Sequence, residues 1–159
     1  MTYLKRGLDA GSIVDINRAK VTPVRRQALI IVVEDGGEIT DDIQPICDFL
    51  DIAIERLPKD MELSTVLKEC HPMGVIAQLD CETQDGCHVM ITVAKHDPTL
   101  PILLLVGSEP ALAGAADAVE EHWQLRYVVK APTLPGVGGI VDFLFHAGRM
   151  GNCVRMMPV

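Results

Sequence analysis

Aromatic residues are scarce in this chain, with one Trp, two Tyr and three Phe making up 4% of 159 residues. A core without large rings has to be filled by Val, Ile, Leu and Ala, which suits branched side chains packed between helices and a sheet. No apolar run approaches the roughly twenty residues of a membrane helix. The first residues are charged and interrupted, unlike the apolar stretch of a secretory signal. The expectation is a cytoplasmic protein with no membrane partner. The five cysteines, Cys47, Cys70, Cys81, Cys87 and Cys153, are an odd number at irregular spacing with no C-x-x-C. That pattern indicates neither a disulfide framework nor a zinc site, so reduced, mostly buried thiols are expected. His71, His88, His96, His122 and His146 share no ligand spacing. G-x-G-x-x-G and P-loop motifs are missing too, so a nucleotide-binding module has no motif behind it.

Nearly half of the residues are hydrophobic, enough for a single domain with a sizeable core. Charge is unevenly spread. Lys5, Arg6, Arg18, Lys20, Arg25 and Arg26 against Asp9 and Asp15 leave +4 on residues 1–26, and hence −12 on the remainder of a chain whose total is −8. An acidic body argues against direct nucleic-acid binding by the domain itself. Residues 1–27 show no sustained period and read as a basic N-terminal extension, residues 28–150 as the domain, and residues 151–159 as a C-terminal tail.

Ala28 to Gly37, ALIIVVEDGG, organises the domain. Its β-branched apolar run reads as a strand buried on both faces of a parallel sheet, and Glu34 and Asp35 fall where that strand runs out. Thr40 before Asp41 and Asp42 reads as a helix start, with Thr40 as the N-cap, and Pro45 should bend that helix or delay its start. Asp51 to Leu57 alternates with period two, which marks a strand near the sheet edge. Further strands are expected at Gly74 to Leu79, Pro101 to Val106 and Leu125 to Val129. Helices are expected at about Met61 to Cys70, Cys87 to His96, Pro110 to Trp123 and Gly136 to Met150. Five strands alternating with five helices give a (βα)5 unit, which right-handed crossovers turn into a doubly wound parallel five-stranded sheet.

Ligands in such sheets bind at the carboxyl ends of the strands. Glu34 and Asp35, then Gln78 to Asp80, Ser108 and Lys130 fall at those ends. Carboxylates and a lysine around one site suit a hard cation and a phosphoryl group. Over about Ala28 to Met150 the chain resembles the response regulator receiver domain, a flavodoxin/CheY-like fold. The resemblance rests on VVED at 32–35, QDG at 84–86 and YVVK at 127–130, in order and on the expected elements. It implies that Glu34 and Asp35 form the acidic pocket, that Lys130 is the family's lysine and that Tyr127 is the aromatic switch residue. It also implies that protein partners or a dimer mate dock on the face made by the fourth helix, fifth strand and fifth helix.

The departures from the family pattern bear on function. The family's spacing from Gly86 backwards, or from Pro72 forwards, lands both times on Gln78 where the phosphoaccepting aspartate belongs. An amide has no anionic oxygen with which to attack a phosphoryl donor. Asp80 is the alternative acceptor, two residues on. The switch hydroxyl position falls on Ser108 by its spacing from Lys130 and on Val106 by the strand count. The expectation is an atypical receiver, or pseudo-receiver, of a two-component-type protein: a phosphorylation-independent interaction or dimerisation module with no catalytic residues and no cofactor. In that reading Lys130 pairs directly with Asp35. The alternative is a phosphoaccepting receiver in which Asp80 works with Mg²⁺ held by Glu34, Asp35 and Asp80.

Overall fold

The computed structural model describes residues 25–81 and 85–153. Residues 1–24 of the extension, Gln84 of the QDG motif and the tail from 154 onward lie outside the described residues.

Strands β1 (Gln27–Val33), β2 (Ala53–Arg56), β3 (Pro72–Gln78), β4 (Ile102–Leu105) and β5 (Val128–Ala131) alternate with five helices. These are α1 (Glu38–Phe49), α2 (Leu63–Cys70), α3 (Gly86–His96), α4 (Pro110–Trp123) and α5 (Val137–Met150). The sheet is wholly parallel in the order β2-β1-β3-β4-β5. This is the doubly wound, flavodoxin/CheY-like architecture, with its switch point between β1 and β3. The alternating strand at the edge is β2, as its period requires. The three strands that read as continuous apolar runs, β1, β3 and β4, are interior.

Strand geometry divides the core in two, because successive side chains point to opposite faces. Ile31, Val33, Val75, Ala77 and Leu104 face α2, α3 and α4. Ile30, Val32, Ile76, Leu103 and Leu105 face α1 and α5, where Ile43, Phe143 and Leu144 complete the layer. None of the five cysteines is in a disulfide.

Two expectations are corrected. Helix α1 starts at Glu38, so Thr40 lies inside its first turn and is not the N-cap, and the helix runs through Pro45 without a delayed start. The cause is a carboxylate from outside the helix, described below. Strand β5 begins at Val128 and not at Leu125, because α4 ends on a left-handed residue, Gln124 (φ 57°), and the Leu125 N–H returns to the Glu120 carbonyl. Leu125 is thereby a buried plug against α4, and the pairing with β4 extends to Ala131.

Candidate functional site at the carboxyl edge of the sheet

The start of α1, the carboxyl ends of β3 and β4 and the loop after β5 line a cleft of about 320 Å³. Gln78 and Asp80 both line it, as do Glu38 and Asp42 of α1, Gly107 and Thr133. No Lys or Arg lines it, so the cleft is acidic.

Gln78 is the last residue of β3 and is registered against Leu105. Its side-chain oxygen accepts from the Asp35 N–H at 3.4 Å. Leu79, on the opposite face, is buried against α3. Gly86 is needed there: a Cβ on it would come within 2.5 Å of the Leu79 Cα, a backbone atom that cannot step aside. The start of α3 is thus pressed onto the end of β3, which brings Asp80 out as an exposed residue at the cleft.

Glu34 and Asp35 part ways. Glu34 is 6% exposed. One carboxylate oxygen accepts from the Ile39 N–H (2.8 Å), and the other accepts from both the N–H (3.0 Å) and the hydroxyl (2.6 Å) of Thr40. A helix begins with unpaired N–H groups and a positive dipole end, and an anion there satisfies both. Gly37, at the N-cap, has no side chain to do so, and Glu34 takes over from the strand. Arg56 of β2 approaches the same carboxylate, Nε to Oε2 at 3.6 Å, and also donates to the Gly36 carbonyl. Asp35 is exposed, and its Oδ1 accepts from the Cys81 thiol at 3.0 Å.

Lys130 does not pair with Asp35, contrary to the expectation. Its ammonium is held by α4, hydrogen-bonded to Glu120 and 3.2 Å from Asp117. Burial works against its charge, but the hydrogen bonds to Glu120 and Asp117 outweigh that and raise its pKa. Val106 follows β4 directly, is buried, and donates its N–H to the Ala131 carbonyl at 2.9 Å. Ser108 is exposed one residue beyond Gly107, whose φ of 72° turns the chain there. Tyr127, half-buried, stacks on His146 of α5 with ring centroids 3.8 Å apart.

The edge therefore gathers Gln78, Asp80 and Asp35, keeps Glu34 beneath them, and leaves Lys130 and Tyr127 outside. Mg²⁺ needs several converging oxygens. Both Glu34 oxygens are engaged by α1, and among the described residues no group of three or more His, Cys, Asp or Glu is placed to hold a metal ion. Glu34, Asp35 and Asp80 do not fit such an ion. Sequence reasoning missed Arg56, read as one polar position of an alternating strand, and Glu38 and Asp42. The signal for Asp42 is present in the sequence, but beside Thr40 it reads only as part of a helix start.

No family model matches the chain, and no curated protein matches it either. Solved structures do. A response regulator receiver domain protein from Clostridium thermocellum is 16% identical with a TM-score of 0.60, over 78% of this chain and 96% of that one. A structure named adenylate cyclase, from Rhodopirellula baltica, has the same identity and TM-score, over 79% and 90%. The beryllofluoride-activated NtrC4 receiver domain dimer also matches at 16% and 0.60, over 78% and 98%. At this identity the likeness speaks to the fold alone: this chain has the flavodoxin/CheY-like fold that those receiver domains share.

Proposed function

We propose that this is an atypical receiver domain, a regulatory module in the cytoplasm that acts through protein contacts and does not take phosphate on an aspartate. The observation that carries the reading is Gln78 at the end of β3, where a neutral amide lines an acidic cleft. Phosphoryl transfer to a side chain needs a nucleophile with a lone pair to give and a positive group to draw off charge. Gln78 supplies neither an anion nor an activated oxygen, and Lys130 is spent on α4. The edge supports a fixed arrangement: an amide bridging to the Asp35 backbone, a carboxylate closing the start of α1, and a lysine closing β5 onto α4.

With Gln78 and Lys130 engaged in this way, output is set by binding equilibria. The face formed by α4, β5 and α5 is the contact surface in this reading. The exposed side of α4 carries Ala111, Gly114, Ala115 and Ala118, which let another chain approach closely, and Tyr127 stacks on His146 of α5. The NtrC4 neighbour is described as a receiver dimer, which supports self-association as one form of that output. The role is regulatory and not enzymatic.

Incubating the protein with a small acyl phosphodonor and Mg²⁺, followed by intact-mass measurement, tests the reading. The expected outcome is no stable gain of a phosphoryl group. A gain that disappears in Asp80→Asn would replace it with the phosphoaccepting alternative.

A further inference from the structure

Away from the carboxyl edge, between α1 and α5, apolar side chains stand exposed. Pro45, Ile46 and Phe49 of α1 and Val137, Val141 and Phe145 of α5 line an open groove of about 420 Å³. Phe49 is 89% exposed and Val137 65%. In a chain with only three phenylalanines, two of them, Phe49 and Phe145, are turned outward here. The two helices that line the groove are acidic: Asp41, Asp42 and Asp48 on α1 and Asp142 on α5 are exposed, against Arg149 alone. An occupant of this groove has to be apolar at its centre and basic around it.

We infer that the occupant is the chain's own N-terminal segment, residues 1–24, laid along the α1/α5 groove. Three observations point there. Leu4, Leu8, Ile13, Val14 and Ile16 supply the apolar side chains, and Lys5, Arg6, Arg18 and Lys20 outnumber Asp9 and Asp15, so the segment has the charge the two helices lack. The segment also leaves from the right place. The Arg26 N–H donates to the Gly151 carbonyl at 3.0 Å and its own carbonyl accepts from the Cys153 thiol, so the chain emerges beside the last turn of α5. At about 1.5 Å per helical residue, Phe145 is roughly 9 Å along α5 from that point. Twenty-four residues reach about 80 Å when extended, and so short a tether sets an effective concentration on the order of millimolar. A second copy offers no such match, because joining two α1/α5 faces would bring the same acidic helices together.

The test uses the full chain. With p-benzoylphenylalanine in place of Phe49, irradiation should give a cross-link at monomer mass whose second peptide comes from residues 1–24. A cross-link at dimer mass would assign the groove to a second copy, and the absence of any cross-link to residues 1–24 would leave it to a foreign partner. Either result overturns the inference. Phe49→Asp, at a position exposed enough to leave the fold intact, gives an independent reading. Tryptic cleavage after Arg18 and Lys20 should accelerate on the order of five- to ten-fold, because cleavage follows the population of the undocked segment, and an unchanged rate overturns the inference equally. Neither readout depends on whether the carboxyl edge accepts phosphate.

Discussion

Glu34 shows how much depends on where one carboxylate points. As half of an acidic pair after a strand, it has the composition of a cation ligand, and nothing in the sequence tells that its oxygens turn toward α1. Three donors from two consecutive residues hold it there. Glu34→Ala would leave the buried Ile39 N–H without an acceptor, at a cost of roughly 1–3 kcal/mol, read as a lower urea midpoint. Glu34→Gln keeps one acceptor oxygen but gives up the charge facing Arg56 and the helix dipole, and should fall between. Equal stability of all three proteins would contradict the capping role. Lys130 has the same lesson in reverse. Its position in YVVK was legible, but its partners, Asp117 and Glu120, come from a neighbouring helix that spacing along β5 cannot reveal.

Among the elements, the order and kind of all ten could be read from the chain, because runs of Val, Ile and Leu alternate with segments of helical spacing between Gly and Pro. Boundaries moved where a tertiary contact outbid the local signal. Thr40 and two aspartates are a good N-cap sequence, yet Glu34 reaches over from β1 and lets α1 begin three residues sooner. Pro45 is the unfavourable member of that helix, since it cannot donate to the Asp41 carbonyl and crowds it. Pro45→Ala should therefore stabilise the protein by about 1–2 kcal/mol, the helix-interior penalty reduced by the freedom that alanine returns to the unfolded chain. Chemical denaturation of the two proteins checks this, and a loss of stability would mean that the Asp41 carbonyl depends on the proline ring being there.

The molecule as a whole is two apolar layers on a sheet, and its alkaline limit follows from what those layers bury. Cys47 sits in the α1/α5 layer with no exposure. Burial, with Asp48 adding to it, pushes its thiol from 9.0 up to about 11. Burial displaces Cys153 in the same direction. A group whose folded pKa is raised stabilises the fold below its unfolded value and loses that contribution as pH climbs through the folded one. Stability should hold to about pH 9 and fall from there toward pH 11, as the unfolded chain sheds thiol protons that the folded chain retains. Lys130, raised above 10.5, adds its loss only at the upper end. Thermal melts across this range should show a shallower decline in Cys47→Ala, even though its stability at neutral pH is lower.

Arg26 has one more consequence at this scale. Its backbone meets Gly151 while its guanidinium crosses to Asp97 and Thr99 at 2.8 and 2.9 Å, so the start of β1, the turn before β4 and the finish of α5 are stitched at one point on the floor of the sheet. Incoming and outgoing chain share a single doorway. A unit of that shape can be spliced into a surface loop of a host protein without prising the loop apart.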